Sequence, residues 1–348
     1  MTVRYPAPLR PGDAIGVTAP SAGVPDRLGA RLDVALQWLR DRGFRVEVGD
    51  CLRGGGVVSA PREQRAAELN RMLLDPRVRA VVPPWGGETG IDLLELIAWE
   101  AVAAAEPTWC VGFSDTSTWL TPLTLLTGVA TLHGQNLMDT PYATPDGIRH
   151  WVDVASAPRG SEVEQRSPGR FRAEGWDDYE RDPAVSTFTL DAPGTWTRLD
   201  PGHEGEPARL TGRLLPGCVE TMVAVAGTRF GDVPAFAREH APDGLLHALD
   251  VCEWPAPDIG RALHGMRLAG WFDGSRGVLV SRTRAPGTDT MTQHEAVVDA
   301  LGGLGVPILA DVECGHVPPY LALVAAARTE VVHAPDDGGG HRVTQWLD

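Results

Sequence analysis

The chain has 348 residues, roughly two domains' worth at about 150 residues each. Hydrophobic residues at 43% and charged residues at 22% are the proportions of an ordinary soluble globular protein, which excludes disorder as the main state. A net charge of -15 excludes a general nucleic-acid binder and a protein that docks on anionic lipid.

In chain order, Asp13 to Ala19 reads as a buried strand ending in the loop Pro20-Ser21-Ala22-Gly23. Leu32, Leu36 and Leu39 recur at helical spacing, and Gly43 stops that helix. Phe44 to Val48 reads as a second strand. Pro61 opens a helix with Ala66, Leu69, Met72 and Leu73 on one face. Arg77 to Pro83 is a strand entering the loop Gly86-Gly87, and Ile91 to Val102 is predicted helical. Trp109 to Gly112 is a short apolar strand, and Ser117 to Leu126 a helix. Strands alternating with helices predict βαβ units and a mostly parallel sheet.

The pattern then breaks into a polar, Pro/Gly-rich stretch carrying Trp151, Trp176, Tyr179 and Trp196. The expected organisation is an N-terminal α/β unit over 1–145, a connection with substrate-facing loops over 146–208, and a C-terminal unit over 209–348. The last unit opens with LTGRLLPGCVETMVAVAG, and within it GLLHALDVCEW, RGVLVSR and GVPILADV read as strand regions. Ile259 to Ala269 and His294 to Leu301 read as helices, and the run DDGGGH ending at His341 as a turn.

Four segments could carry chemistry. In Val111-Gly112-Phe113-Ser114-Asp115-Thr116-Ser117 a small residue follows a strand and opens a helix. That setting exposes the Ser114 hydroxyl and aims the following N–H groups at whatever bonds to it; a Ser N-cap explains the segment equally well. In Pro83-Pro84-Trp85-Gly86-Gly87-Glu88 paired glycines let a backbone N–H approach a ligand, although a tight turn needs the same residues. In Asp311-Val312-Glu313-Cys314-Gly315-His316 a histidine sits on a loop after a strand, where it could act as a base. In Leu245 to Glu253 an apolar strand ends in the carboxylates Asp250 and Glu253, either of which could orient a histidine. His133, after the serine helix, could face the same site or be structural.

All 31 basic residues are arginine, so no lysine nucleophile or P-loop lysine is available. The five cysteines form no CxxC pair, which fits a reducing compartment, hence the cytoplasm, better than a disulfide framework or structural zinc. The first residues lack a signal-peptide apolar region, and no run reaches the roughly 18 apolar residues of a membrane span. No metal-ligand cluster is visible, and no cofactor is expected.

Taken in order, these segments resemble the Ser-Glu-His peptidases of the LD-carboxypeptidase family, and within it the microcin C immunity branch. The resemblance covers nearly the whole chain, through LRPGDAIGVTAPSAG, the stretch ending PPWGGETGIDLLELI, VGFSDTSTWLTPL, T-L-H-G and CGHVPP. It implies a Rossmann- or flavodoxin-like parallel N-terminal layer and a smaller, β-rich mixed C-terminal domain. It implies Ser114 as nucleophile, His316 as general base, and oxyanion donors on Gly87 and Asp115. Trp85, Gly86, Glu88 and Trp176 are the expected substrate-binding residues. The family's acid is a Glu about twenty residues before a Gly-x-Phe turn, here Gly270-Trp271-Phe272. The ungapped match falls on Asp250, which is favoured over Glu253 because Arg261 then also falls on a family Arg. Leu215-Pro216-Gly217-Cys218 stands where the family more often has Gly-Gly-Asn. The implied reaction is amide hydrolysis through an acyl-enzyme, by a homodimer acting on a small peptide or peptide-nucleotide. The variable-loop aromatics, Trp176 above all, favour an aminoacyl-nucleotide over a muropeptide, because an indole face can stack an adenine, although packing of its own loop explains Trp176 equally well. The readings against these are a muropeptide L,D-carboxypeptidase, and a binding protein that kept the pocket and lost turnover.

Overall fold

The computed structural model describes residues 3–335 and 340–348, so the turn expected over DDGGGH lies largely outside the described residues. The N-terminal half contains β1 (Ala14–Val17), β2 (Arg45–Val48), β3 (Val78–Val82), β4 (Trp109–Gly112) and β5 (Leu132–His133). They lie side by side in the order β2-β1-β3-β4-β5, all parallel, which is the flavodoxin-like winding. Strands β1 and β4 are buried at every position. Helices cover both faces of such a sheet, so its strands read as continuous apolar runs. The helix Gly29–Asp41 buries Leu32, Ala35, Leu36 and Leu39. The helix Arg62–Leu74 buries Ala66, Leu69, Met72 and Leu73 as its spacing predicts.

One predicted helix is two. Ile91 to Val102 divides into a 3-10 turn Gly90–Leu93 and a helix Trp99–Ala104. The Asn70 side chain donates to the Leu96 carbonyl (2.9 Å) and accepts from the Ala98 N–H (2.9 Å). It thereby satisfies two groups at the break, where the helical pattern is interrupted.

The second half adds β6 (Glu162–Arg166), β7 (Arg170–Phe171), β8 (Ala192–Pro193), β9 (Thr197–Arg198), β10 (Ala208–Cys218) and β11 (Leu245–Asp250). It continues with β12 (Ser275–Ser281), β13 (Ile308–Val312), β14 (Leu323–Val324), β15 (Arg328–His333) and β16 (Arg342–Trp346). Eight of these form one sheet in the order β6-β16-β15-β10-β11-β12-β13-β9. Its centre, β10 to β13, is parallel, and antiparallel strands flank it. The stretch 146–208 is therefore no plain linker: β6 and β9 are the two edges of this sheet. Strand β14 crosses over and pairs antiparallel with β5, closing the edge of the first sheet.

One apolar cluster runs through both halves and includes Leu36, Leu120, Leu215, Met222 and Leu263. The helix Ser117–Thr127 lies between the halves and is buried over most of its surface, and its Ser117 hydroxyl accepts from the Cys218 N–H at 3.2 Å. Among the described residues no helix is long and apolar enough to cross a membrane.

The core also contains a pH-sensitive group. His247, in the middle of β11, is fully buried edge-on to Phe272, and neither ring nitrogen has a partner. Burial lowers its pKa to about 3. In the unfolded chain it titrates near 6.5, so the unfolded state binds more protons between those values and stability falls as the pH drops through that window. Moving from pH 7 to pH 5 should therefore cost about 2 kcal/mol through this residue. In urea titrations at both pH values, His247→Leu should show a smaller difference than wild type.

Candidate active site

The parallel strands β4, β11 and β13 of the two sheets bring their carboxyl ends to the same region, where Phe113 meets His316, the usual ligand position in open α/β sheets. Strand β4 ends at Gly112, Phe113 is extended, and Ser114 turns left-handed with φ +65°. That conformation costs a non-glycine residue about 1–2 kcal/mol and has to be held by its surroundings. The buried Asp115 carboxylate does so by accepting from the Gly90 N–H (2.8 Å) and the Thr118 hydroxyl (2.9 Å). Asn136 accepts the Phe113 N–H at 3.3 Å. The N-cap alternative does not hold, because Phe113 precedes the 3-10 turn, Thr116 precedes the helix, and no side chain caps either.

Ser114 opens into a cavity of about 140 Å³, lined also by Gly87, Glu88, Cys218, Glu220 and Glu253. The glycine loop packs directly against the serine. A Cβ on Gly86 would lie 2.7 Å from the Asp115 nitrogen and 2.8 Å from Ser114 Oγ. Gly87 has φ +136°, and a Cβ there would run into Ser21 and lie 2.8 Å from the Ala22 nitrogen. Among the described residues no protein acceptor takes the N–H of Gly87 or of Asp115. Trp85 is placed otherwise than predicted. Its indole N–H donates to the Ala22 carbonyl at 3.1 Å, and the ring packs on the main core and lines neither cavity of the site, so it braces the loop.

The second half of the site lies at the ends of β11 and β13. Asp250, the last residue of β11, is fully buried, and His316 Nδ1 lies 3.0 Å from its carboxylate. The approach requires a glycine, since a Cβ on Gly315 would stand 2.5 Å from Ser281 Cβ and overlap the Asp250 carboxylate. Phe113 meets the His316 ring edge-on at 4.9 Å. His133 is buried, and its Nε2 pairs with the Cys314 carbonyl at 3.0 Å, so it tethers the histidine loop to β5. Burial opposes protonation of His316, but the adjacent Asp250 charge outweighs it and holds the pKa well above the usual histidine value. Glu253 lies past the end of β11, is exposed, and makes no hydrogen bond or ion pair with His316.

A second cavity of about 410 Å³ adjoins the first and is lined by His316, Val317, Trp176, Arg284 and Glu174. Cys252 and Glu253 line both. Trp176 is 56% exposed, with the Arg284 guanidinium 4.7 Å from its ring centre. Its loop is fixed by the Arg172–Asp177 ion pair, by Tyr142 donating to Asp177 (2.9 Å) and by Arg284 donating to the Gly175 carbonyl (2.7 Å). Among the described residues no hydrogen bond joins Ser114 to His316, and Cys252 and Glu253 line the cavities of both.

Sequence reasoning missed three supports. Glu220 accepts the N–H groups of Cys252, Glu253 and Trp254 at 2.9, 3.0 and 3.3 Å, fixing the turn after Asp250. Buried Arg65 donates to the Pro20 carbonyl (2.6 Å) and to Asp92 (2.7 Å), linking the loops around Gly87. Phe113 belongs to an aromatic cluster with Tyr142, Phe188 and Tyr320 that carries the Trp176 loop. Only the acidic type of Glu220 at a helix start gave any signal. Among the described residues no group of three or more His, Cys, Asp or Glu is disposed to hold a metal ion.

A serine on a strained strand-to-helix turn, facing open N–H groups, is the arrangement of serine-type hydrolases. Comparison with known proteins narrows the class: the LD-carboxypeptidase N-terminal domain matches residues 15–134 and the LD-carboxypeptidase C-terminal domain residues 211–331. The chain belongs to this family, the S66 peptidases, and is a hydrolase. It is 33% identical over 313 residues to a Streptomyces coelicolor protein named as a candidate carboxypeptidase, covering 89% of this chain and 87% of that one. It is 25% identical over 334 residues to a Bacillus subtilis protein named as a candidate murein peptide carboxypeptidase, covering 93% and 90%. The microcin C7 self-immunity protein, solved with aspartyl sulfamoyl adenosine, superposes with a TM-score of 0.77 at 18% identity, covering 99% of this chain and 98% of that one.

The glycine requirement at 315 is directly testable. Gly315→Ala should push the histidine loop away from Asp250. An NMR titration should then show the His316 pKa falling toward 6.5, with a stability loss of about 1–3 kcal/mol in denaturant.

Proposed function

We propose that the protein hydrolyses an amide bond through an acyl-enzyme, with Ser114, His316 and Asp250 as the triad. The observation that carries this reading is the fully buried Asp250 against His316 Nδ1, at strand ends facing the Ser114 turn. With Nδ1 directed at Asp250, Nε2 is the nitrogen left to take the serine proton. Ser114 Oγ attacks the carbonyl, and the Gly87 and Asp115 N–H groups receive the developing oxyanion. His316 then protonates the leaving amine, and water, deprotonated by the same histidine, releases the acyl group.

The substrate is an aminoacyl- or peptidyl-nucleotide. The half-exposed Trp176 face at the rim of the His316 cavity supports this, as do the aspartyl sulfamoyl adenosine and glutamyl sulfamoyl guanosine bound in the related structures. The second reading, a muropeptide L,D-carboxypeptidase, is supported by the name of the Bacillus relative. A side-by-side assay of aminoacyl-sulfamoyl nucleosides and an L,D-tetrapeptide separates the two. Trp176→Ala should weaken binding of the nucleoside compounds by about 1–3 kcal/mol and leave tetrapeptide turnover alone; equal losses would reduce Trp176 to loop packing. The same reading has the protein act in the cytoplasm as a homodimer, the latter checked by sedimentation.

Ser114→Ala should lower kcat by about 10³-fold or more and abolish fluorophosphonate labelling, with folding unchanged. His316 works as a base only when neutral, and its pKa is held above the usual 6.5. Activity should therefore rise with pH through a midpoint above 6.5. Asp250→Asn removes the charge that stabilises the imidazolium, so it should move that midpoint down and lower kcat by up to about 10⁴-fold.

A further inference from the structure

The cavity around the proposed nucleophile is acidic, whereas the adjoining one around the proposed base mixes both signs, with Glu174 and the shared Glu253 beside Arg284 and His316. Around Ser114, Glu88 enters from the glycine loop, Glu253 from the turn after β11, and Glu220 from the first turn of the helix Val219–Val225, above Asp115. Among the described residues no arginine or histidine lines this cavity. Asp115 and Glu220 already spend their oxygens on protein donors, the latter on three N–H groups and the Cys218 thiol (3.2 Å). Glu88 and Glu253 are exposed, and among the described residues no arginine pairs with either. Partial burial, with Asp115, Glu253 and Glu220 adding their repulsion, pushes the Glu88 carboxyl above its ordinary range, so the local field is negative. The His316 cavity also holds Glu174 and the shared Glu253; its arginine, Arg284, is half-buried, lies on Trp176 and, among the described residues, makes no ion pair.

The proposed chemistry assigns a side of the substrate to each cavity. His316 gives its proton to the leaving amine, so the leaving group lies in the His316 cavity with Trp176 and Arg284. The acyl group stays on Ser114 and lies in the acidic cavity. Resting on the hydrolase reading above, we infer that the acyl side of the substrate is a cationic aminoacyl group, held by Glu88 and Glu253, and that acyl groups with an anionic side chain are rejected. This is the opposite preference to the aspartyl and glutamyl ligands of the related structures. Rejection follows from the site as much as attraction does, because a carboxylate brought between Glu88 and Glu253 has no cation to meet.

The test is kcat/KM for arginyl-, alanyl- and aspartyl-sulfamoyl adenosine, which differ only in the acyl side chain. The arginyl compound should exceed the aspartyl one by at least about tenfold, a difference of about 1.4 kcal/mol, and added salt should shrink the ratio. In the double variant Glu88→Gln, Glu253→Gln the ratio should collapse to within about threefold. Aspartyl turnover equal to or faster than arginyl, or a ratio that survives in the double variant, overturns the inference. Failure of the hydrolase reading looks different: no turnover of any compound and no fluorophosphonate labelling of Ser114. Calorimetry with the same three compounds then still decides the charge preference. Tighter arginyl binding supports it, and equal or tighter aspartyl binding overturns it.

Discussion

A carboxylate with no exposure to water is tolerable only against a partner, and the Asp250–His316 pair sets the terms for everything around it. The acid sits at the end of β11, paired in register with Cys218 of β10, and cannot move without breaking that parallel ladder. The histidine must therefore be brought to it. Gly315 allows the loop to approach, Ser281 lies under it and accepts the Val251 N–H at 2.9 Å, and His133 holds Cys314 from the other sheet. Removing either partner would leave a buried group unsatisfied, so this region is expected to resist substitution even where turnover is not measured.

The serine side obeys a different constraint. Ser114 occupies a backbone region that L-residues avoid, and the energy for this comes from neighbours already in place. Asp115 ties the turn to Gly90, and Arg65 ties Pro20 and Asp92 together behind it. The glycine loop can press against the serine only because Gly86 has no Cβ. The closeness on which the proposed oxyanion donor depends is thus the same closeness that fixes its two glycines.

What could be read in the sequence followed from local physics. Strands buried on both faces leave apolar runs, so β1, β3 and β4 and their order as βαβ units were visible. The Ser114 turn was equally local, whereas the choice of Asp250 came from the family resemblance, through its spacing to Gly270-Trp271-Phe272. What escaped depends on contacts between distant parts of the chain. Asn70 splits the expected helix after Ile91 from some twenty residues upstream. Glu220 shapes the turn at Cys252–Trp254 from a separate helix, and its acidic type at a helix start does not point to that turn. Trp85 looked like a substrate contact because it adjoins the glycine loop, yet its N–H is taken by Ala22. Strand β14, with two residues, is too short to carry any period.

That short strand also bears on how the protein is made. The N-terminal sheet is closed at β5 by Leu323 and Val324, so its last partner emerges about 190 residues after β5 itself, roughly 10–40 s later at ordinary rates of synthesis. Through that interval the ribosome holds a nearly finished layer whose β5 edge is unpaired. Long open edges recruit neighbouring chains, whereas short ones offer little to pair with. Keeping β5 to two residues lets the nascent chain wait for the other half without becoming a template for aggregation.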